Sequence, residues 1–291
     1  MIPPQFDCVR PRTVDEAVGA LAEHDNAKVL AGGQSLLPIL RLRLAYPDML
    51  VDLGRTAGMW GIRDVGDELL IGTMTTHYQV MTSELVRRHC GLLAEATATV
   101  ADPQVRHRGT LGGSLSHADP AGDLPAVALA FGTTMVVAGP AGRRTVPASE
   151  FFEDYLQTAL EPTDVLVQVR VPKLGAGSGW GYHYEKFQRV AQAWAIVGVA
   201  ALVRRSGGRI EEARVGLTNM GSTPLRATAT EAALTGASAS AAAVEDAAAL
   251  AADGTSPASD LSGQADYRQH LARVLTRSAV LAAAGVGATG M

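Results

Sequence analysis

Two stretches of this chain place adjacent glycines beside a hydroxyl residue, a combination suited to holding an anion. The first is Lys28-Val29-Leu30-Ala31-Gly32-Gly33-Gln34-Ser35-Leu36-Leu37 and the second is Thr110-Leu111-Gly112-Gly113-Ser114. Glycine lets a backbone bend sharply and approach a ligand with no Cβ in the way. Ser35 is placed to cap a helix carrying Leu36, Leu37, Leu40 and Leu44 and stopping before Pro47. Free N–H groups at such a start, with the positive end of the helix dipole, favour negative charge. One exposed dipole contact contributes only about 0.3–1 kcal/mol. A single turn of this kind is therefore weak, whereas two of them, about eighty residues apart, can grip the two halves of a diphosphate.

Other chemistry is harder to build from these residues. A Walker loop is absent, and Gly175-Ala176-Gly177-Ser178-Gly179 lacks both the third spacing and the following helix of a dinucleotide fingerprint. His117, Asp119 and Asp123 do not have the spacing of a recognised metal site, and an Asp-Pro turn and a helix cap account for the two acids without a metal. Arg106 and Arg108 either neutralise phosphate or lie solvated. Lys186 in Tyr184-Glu185-Lys186-Phe187 reads first as a surface lysine, and Trp194 as packed in the core or against a ring. No nucleophile elbow or paired-carboxylate signature is present, and no catalytic residue is assigned. Cys8 and Cys90 form no Cys-x-x-Cys; they are too few to ligate an iron–sulfur cluster and read as reduced thiols.

The elements that would position the glycine turns follow from pattern. Thr13 and Glu16 open a helix over 13–24 with Ala17, Val18 and Leu21 on its apolar face. Strand 27–31, the first turn, helix 35–45 and strand 49–53 make a βαβ unit. A strand at 69–72 is followed by a short helix opened by Thr75 or Thr76 and by a longer one from Ser83 to about Val100. Residues 101–125 read as one long functional connection carrying the second turn, with Asp123 capping helix 124–131. Strands at 133–138 and near Thr145, a helix near 150–155 and a strand at 165–171 precede the linker 172–179. Trp180–Phe187, Ala193–Val203 and Ile210–Leu217 then form a three-stranded antiparallel sheet, followed by alanine-rich helices near 228–252 and a helix over 265–284.

With 47% hydrophobic and 19% charged residues in 291, the composition is that of an ordinary globular protein of two domains or lobes. The net charge of −4 is scattered, with no basic run interleaved with aromatics, which argues against a nucleic-acid partner. No apolar run reaches spanning length and the N-terminus shows no secretory pattern, so a cytoplasmic location is expected.

Taken together, the chain resembles the FAD-binding medium subunits of the molybdenum hydroxylases, the family of carbon monoxide, nicotine, caffeine and xanthine dehydrogenases. The matching pieces are Ala31-Gly32-Gly33-Gln34-Ser35-Leu36-Leu37-Pro38, Leu42-Arg43-Leu44-Ala45, Leu50-Val51-Asp52-Leu53 and Gln104-Val105-Arg106-His107-Arg108-Gly109-Thr110-Leu111-Gly112-Gly113-Ser114. Ala118-Asp119-Pro120-Ala121-Gly122-Asp123-Leu124-Pro125 and Asp266-Tyr267-Arg268 extend the likeness over nearly the whole chain. The resemblance implies an α+β fold: a two-lobed PCMH-type FAD-binding domain over 1–176, with lobes of about 1–53 and 54–176, then a small C-terminal domain over 177–291 with a three-stranded antiparallel sheet and helices. It implies FAD contacts from Lys28, Leu30, Ala31, Gly32, Gly33, Gln34, Ser35 and Leu36, from Thr110, Leu111, Gly112, Gly113 and Ser114, and from Asp123 and Lys186. Trp194 matches an aromatic near the flavin ring. Gln34 stands where carbon monoxide dehydrogenases tend to have histidine, which leaves the branch of the family open and weighs only slightly against carbon monoxide.

The implied role is an electron relay. A large partner subunit carries the molybdenum cofactor, a small one carries two [2Fe–2S] clusters, and FAD on this chain passes electrons to an external acceptor, in a dimer of heterotrimers. Two other readings stand beside it. One is a self-sufficient PCMH-type flavin oxidase, for which about 115 residues after the FAD domain leave little substrate domain. The other is a nucleotide-binding scaffold without activity.

Overall fold

The computed structural model describes residues 2–175 and 177–286. Ala176, where the two domains are expected to meet, lies outside the described residues. The chain begins with strand β1 (Asp7–Val9), helix α1 (Val14–Glu23), β2 (Ala27–Leu30), α2 (Leu36–Arg41) and β3 (Met49–Asp52), which ends in a 3-10 turn at Leu53–Arg55. The three strands are parallel in the order β1-β3-β2. Thr13 caps α1 by accepting the Glu16 N–H at 3.1 Å, while the Glu16 carboxylate reaches back to the Arg12 N–H at 2.7 Å. Its apolar face, Val14, Ala17, Val18 and Leu21, is buried as the spacing predicts.

The helix expected over 35–45 is shorter. It stops at Arg41 because Arg43 takes a left-handed backbone at φ 57°. Leu40 is buried, but Leu44 is 72% exposed. Ser35 occupies the cap position with a helical backbone, and its hydroxyl makes no capping bond.

An antiparallel sheet follows, built from β4 (Ile62–Val65) and β5 (Glu68–Gly72), then, after a run of helices, β6 (Thr134–Gly139), β7 (Gly142–Pro147) and β10 (Val165–Pro172), in the order β4-β5-β10-β6-β7. A small hairpin, β8 (Phe152–Asp154) and β9 (Gln157–Thr158), interrupts the chain after the short α9 (Ala148–Phe151). The helix expected near 150–155 is therefore cut at Phe151, and the chain turns over at Leu156, whose φ is 56°.

The intervening helices are α3 (His77–Thr82), α4 (Glu84–His89), α5 (Gly91–Ala98), α6 (Pro103–Arg108), α7 (Leu111–His117) and α8 (Asp123–Phe131). Thr76 caps α3 with a full capping box, and Ser83 caps α4. The single helix expected from Ser83 to Val100 breaks at Cys90, where ψ is 46°. Gly91 restarts it directly under the Tyr182 ring, where a Cβ would sit 2.6 Å from Cε1. The connection expected over 101–125 contains two helices, α6 and α7, and the second glycine pair is helical.

The C-terminal part is a sheet of β11 (Trp180–Phe187), β12 (Val197–Ser206), β13 (Arg209–Thr218) and β14 (Leu225–Arg226), covered by α10 (Thr228–Leu234), α11 (Ala241–Ala248) and α12 (Ala265–Ala283). It has four strands rather than the three expected. The added one pairs through only Leu225 and Arg226, too short to leave a period in the sequence. β12 starts at Val197 rather than 193. Ala200 and Leu202 on one face join the core of the preceding helices and antiparallel sheet, whereas Val199, Ala201 and Val203 on the other pack with α12. A strand so apolar on both sides belongs in the middle of three layers.

Candidate cofactor-binding site

The two glycine segments meet in space. A Cβ on Gly32 would overlap the Arg108 carbonyl and lie 2.7 Å from the Gly109 Cα, and one on Gly113 would lie 3.7 Å from the Ala31 Cβ. Gly33 adopts φ 74°, which an L side chain rarely takes. The turn after β2 is thus wedged against the α6–α7 corner.

The amides at the two segments have different fates. Among the described residues, the backbone N–H groups of Gly33, Gln34, Ser35 and Leu36 donate to no protein acceptor. In α7 the equivalent donors are all used. Leu111 N–H reaches the Thr75 carbonyl at 3.0 Å, Gly112 N–H the Thr73 carbonyl at 2.9 Å, and Gly113 N–H the Thr110 hydroxyl at 3.0 Å. Ser114 N–H closes on the Thr110 carbonyl at 3.0 Å. The expected pair of anion nests is therefore one nest and one fixed helix start. At the second segment a hydroxyl, such as that of Ser114 on the cleft wall, is what is left to meet a ligand.

Both segments line a cleft of about 880 Å³ that runs from the parallel sheet to the C-terminal sheet. That volume is at the large end of the roughly 300–1,000 Å³ usual for small-molecule sites. Every site residue expected from sequence lies on its wall except Leu30 and Leu111. Leu111 is buried in the core. Lys28 is exposed at the rim, and the Gln34 amide turns back to the Gly32 carbonyl at 3.2 Å.

Asp123 and Lys186 form the floor toward the C-terminal sheet. Asp123 does not cap α8: Gly122 holds that position, and the Asp123 carboxylate points inward. One of its oxygens accepts from Lys186 Nζ at 2.9 Å and the other from the Tyr184 hydroxyl at 2.7 Å. Lys186, 4% exposed at its side chain, is no surface lysine; Nζ also donates to the Thr99 carbonyl at 3.2 Å. Burial pushes the Asp123 carboxyl above its ordinary range, opposed by the Lys186 charge and the hydrogen bonds from Lys186 and Tyr184. The Tyr184 hydroxyl is pushed well above its usual value by burial and by the adjacent carboxylate.

His77 is a residue that sequence reasoning missed. It lines the cleft, is buried, and its N–H holds the Gly109 carbonyl at 2.9 Å. Burial, aided by the nearby Arg106 charge, lowers its pKa to about 4, and its Nδ1 has no hydrogen-bond partner among the described residues. A lone histidine after two threonines carries no sequence signal of this. Arg106 itself donates to the carbonyls of Val100 and Ala101 at 2.7 and 3.0 Å, while Arg108 is exposed. Trp194 is 56% exposed on the cleft wall instead of packed in a core. His117 stands 3.8 Å from Asp119, and Asp123 is turned away from both toward Lys186.

A long cleft, with a run of four amides on its wall that are unpartnered among the described residues and a lysine at its rim, fits an extended anionic dinucleotide. Residues 4–174 match the family described as the FAD binding domain in molybdopterin dehydrogenase, and residues 182–283 the CO dehydrogenase flavoprotein C-terminal domain. The chain is 42% identical to the carbon monoxide dehydrogenase medium chain of Hydrogenophaga pseudoflava, over 97% of this chain and 98% of that one. It is 36% identical to the 6-hydroxypseudooxynicotine dehydrogenase complex subunit alpha of Paenarthrobacter nicotinovorans, over 94% and 93% of the two chains. Its structure superposes with a TM-score of 0.94 on the solved carbon monoxide dehydrogenase from Hydrogenophaga pseudoflava that lacks the Mo-pyranopterin moiety, at 45% identity over 97% of this chain and 98% of that one. With matches of this length and identity on an α+β fold whose cleft fits the cofactor, the chain belongs to the FAD-binding medium chains of the molybdenum hydroxylase family.

Proposed function

We propose that this chain holds FAD along the cleft with the diphosphate on the Gly33–Leu36 amides, and that the Ser114 hydroxyl and Lys28 complete the anion site. As a family member, the chain is the FAD-carrying oxidoreductase subunit of a molybdenum hydroxylase complex, with the molybdenum cofactor and [2Fe–2S] clusters in partner subunits. Bound flavin supplies the ability to take electrons singly and release them in pairs. The protein's own part is position and electrostatics. The amide run neutralises phosphate charge, the buried Lys186–Asp123–Tyr184 network fixes the floor without a free charge, and His77 stays neutral near pH 7 beneath the corner at Gly109. No side chain is assigned to attack a substrate, since the chemistry on substrate belongs to the molybdenum subunit.

The finer reading is a dimer of heterotrimers that delivers electrons to an external acceptor in the cytoplasm, with this chain divided near residue 176 into a two-lobed FAD domain (lobes of about 1–53 and 54–176) and a C-terminal domain over 177–291. No described helix is long and apolar enough to cross a membrane. In this reading Leu30 contributes through its backbone, Leu111 acts from the core by holding the start of α7 in place, and the other contacts are those named above. A self-sufficient oxidase is not favoured, because the matched relatives are complex subunits along their whole length.

The observation that carries the site is the run of unpartnered amides on the cleft wall. Purification from the native source, with an absorption spectrum and a subunit count, tests the whole reading. Flavin and iron–sulfur absorption with two co-purifying chains is expected; a colourless, solitary chain sinks it.

A further inference from the structure

At the end of the cleft beside the C-terminal sheet, the wall is the connection from β11 to β12. Its inner segment, Gln192, Ala193 and Trp194, faces the cleft, with Gln192 in a left-handed backbone at φ 72°. The connection has little hold on itself: among the described residues its one internal backbone bond joins Ala193 N–H to the Val190 carbonyl at 3.3 Å. It is fixed at its base. Ile196 N–H donates to the Phe187 carbonyl at 2.9 Å. The next two contacts come from distant elements. Arg268 of α12 donates from Nη1 to the Ile196 carbonyl at 2.6 Å, and Asn219, just past β13, donates from Nδ2 to the Ala195 carbonyl at 2.8 Å.

Neither donor is free to do otherwise. Arg268 is 1% exposed; its Nη2 is bound to Asp260 at 2.7 Å, and its Nε has no partner among the described residues. Asn219 sits at φ 64°, and its own N–H holds the Pro120 carbonyl at 2.8 Å, in the segment leading to Asp123. A buried guanidinium with an unmatched N–H is costly. Here it converges with Asn219 on the two carbonyls that directly follow Trp194, whose exposed indole offers a flat apolar face to a ring.

We propose that Arg268, assisted by Asn219, is a positioning residue for the cofactor. It fixes the Ala195–Ile196 backbone and so sets the Gln192–Trp194 wall against the flavin half of FAD, leaving the diphosphate half untouched. The proposal rests on the FAD reading above. It differs from a general packing role in a measurable way, because only the flavin half should feel it.

The test uses the complex purified with its partner subunits, stripped of flavin and titrated separately with FAD and with ADP. Arg268→Met should weaken FAD binding about ten-fold, and Asn219→Ala about three- to five-fold, the loss of one or two such hydrogen bonds. ADP affinity should stay within about two-fold in both, since ADP carries the adenosine and diphosphate of FAD but no flavin. Arg268→Lys should recover part of the loss, because one ammonium cannot serve the Ile196 carbonyl and Asp260 together. Equal losses for FAD and ADP overturn the proposal, as does an unchanged FAD affinity in Asn219→Ala, the variant that decides if Arg268→Met fails to fold. A wild-type complex that takes up no FAD removes the cofactor reading and this inference with it. A wild type that loads FAD while all three variants keep it overturns the inference alone.

Discussion

The segments Ala31–Ser35 and Thr110–Ser114 look alike in sequence and are opposites in the structure. At the first, the four successive amides of Gly33 to Leu36 have no protein acceptor among the described residues; in the second, the four successive amides of Leu111 to Ser114 are all occupied. The glycines differ in the same way. Gly112 is needed because Thr73 presses on it, with the Thr73 carbonyl oxygen 2.8 Å from where a Cβ would be. Gly33 is needed for its left-handed backbone, and the nearest atom to a Cβ there is the flexible tip of Leu37 at 2.8 Å. One segment presents donors, and the other is a buttress that holds the first in place. Glycine pairs followed by serine thus do not define a single job; the partners of the neighbouring N–H groups do.

The sharpest test of this division compares two glycines. Gly112→Val should lower stability by about 3 kcal/mol or more, the upper range for overpacking against backbone, and so lower the thermal midpoint of the chain. Gly33→Ala should cost only about 1–2 kcal/mol of backbone strain and instead weaken FAD binding. If Gly112→Val keeps its midpoint but loses FAD, the buttress assignment is reversed.

The second test is acid. His77 supports the buttress through Gly109, and its folded pKa, lowered to about 4, is below the ordinary 6.5. The unfolded chain therefore binds more protons between those values, so its contribution is fully present above about pH 6.5 and is lost as pH falls through about 4. That loss is on the order of 3 kcal/mol by pH 4. His77→Phe should flatten this limb in denaturation curves taken from pH 7 to 4, whereas a limb as steep as wild type would assign the acid sensitivity to other groups.

The smallest effect belongs to the rim. Lys28→Met should weaken FAD binding about two- to three-fold at low ionic strength, and the difference should fade at high salt, because exposed charges are screened. An effect that persists in high salt would mean that Lys28 makes a desolvated contact and ranks with the amides.

Much of this was legible from residue order. The capped helix α1, the βαβ entry to the first turn and the three long strands of the C-terminal sheet followed from caps and periodicity, with boundaries within a few residues. The helical state of Gly112 and Gly113 was not, because glycine is a poor helix former and the helix is held by Leu111 and Leu115 in the core. Nor could sequence show which amides are free: the carbonyls that occupy those of α7 come from Thr73 and Thr75, in another segment. Lys186 reads as a surface residue until Asp123, 63 positions earlier, is brought under it. The clamp on Ile196 joins residues 72 apart and has no local trace at all.

The central strand Val197–Ser206 bears on how a cofactor gets in. Its faces belong to two different cores, and beside it the Gly216 backbone is pressed against α8, with the Ala126 carbonyl carbon 2.9 Å from where a Cβ would be. Swinging the C-terminal sheet outward would expose Tyr184, Ala200 and Leu202 to water and strand the Asp123 carboxylate in the same movement. That is not a door. In the proposed reading FAD therefore enters a cleft whose walls already stand, without a movement of the C-terminal sheet.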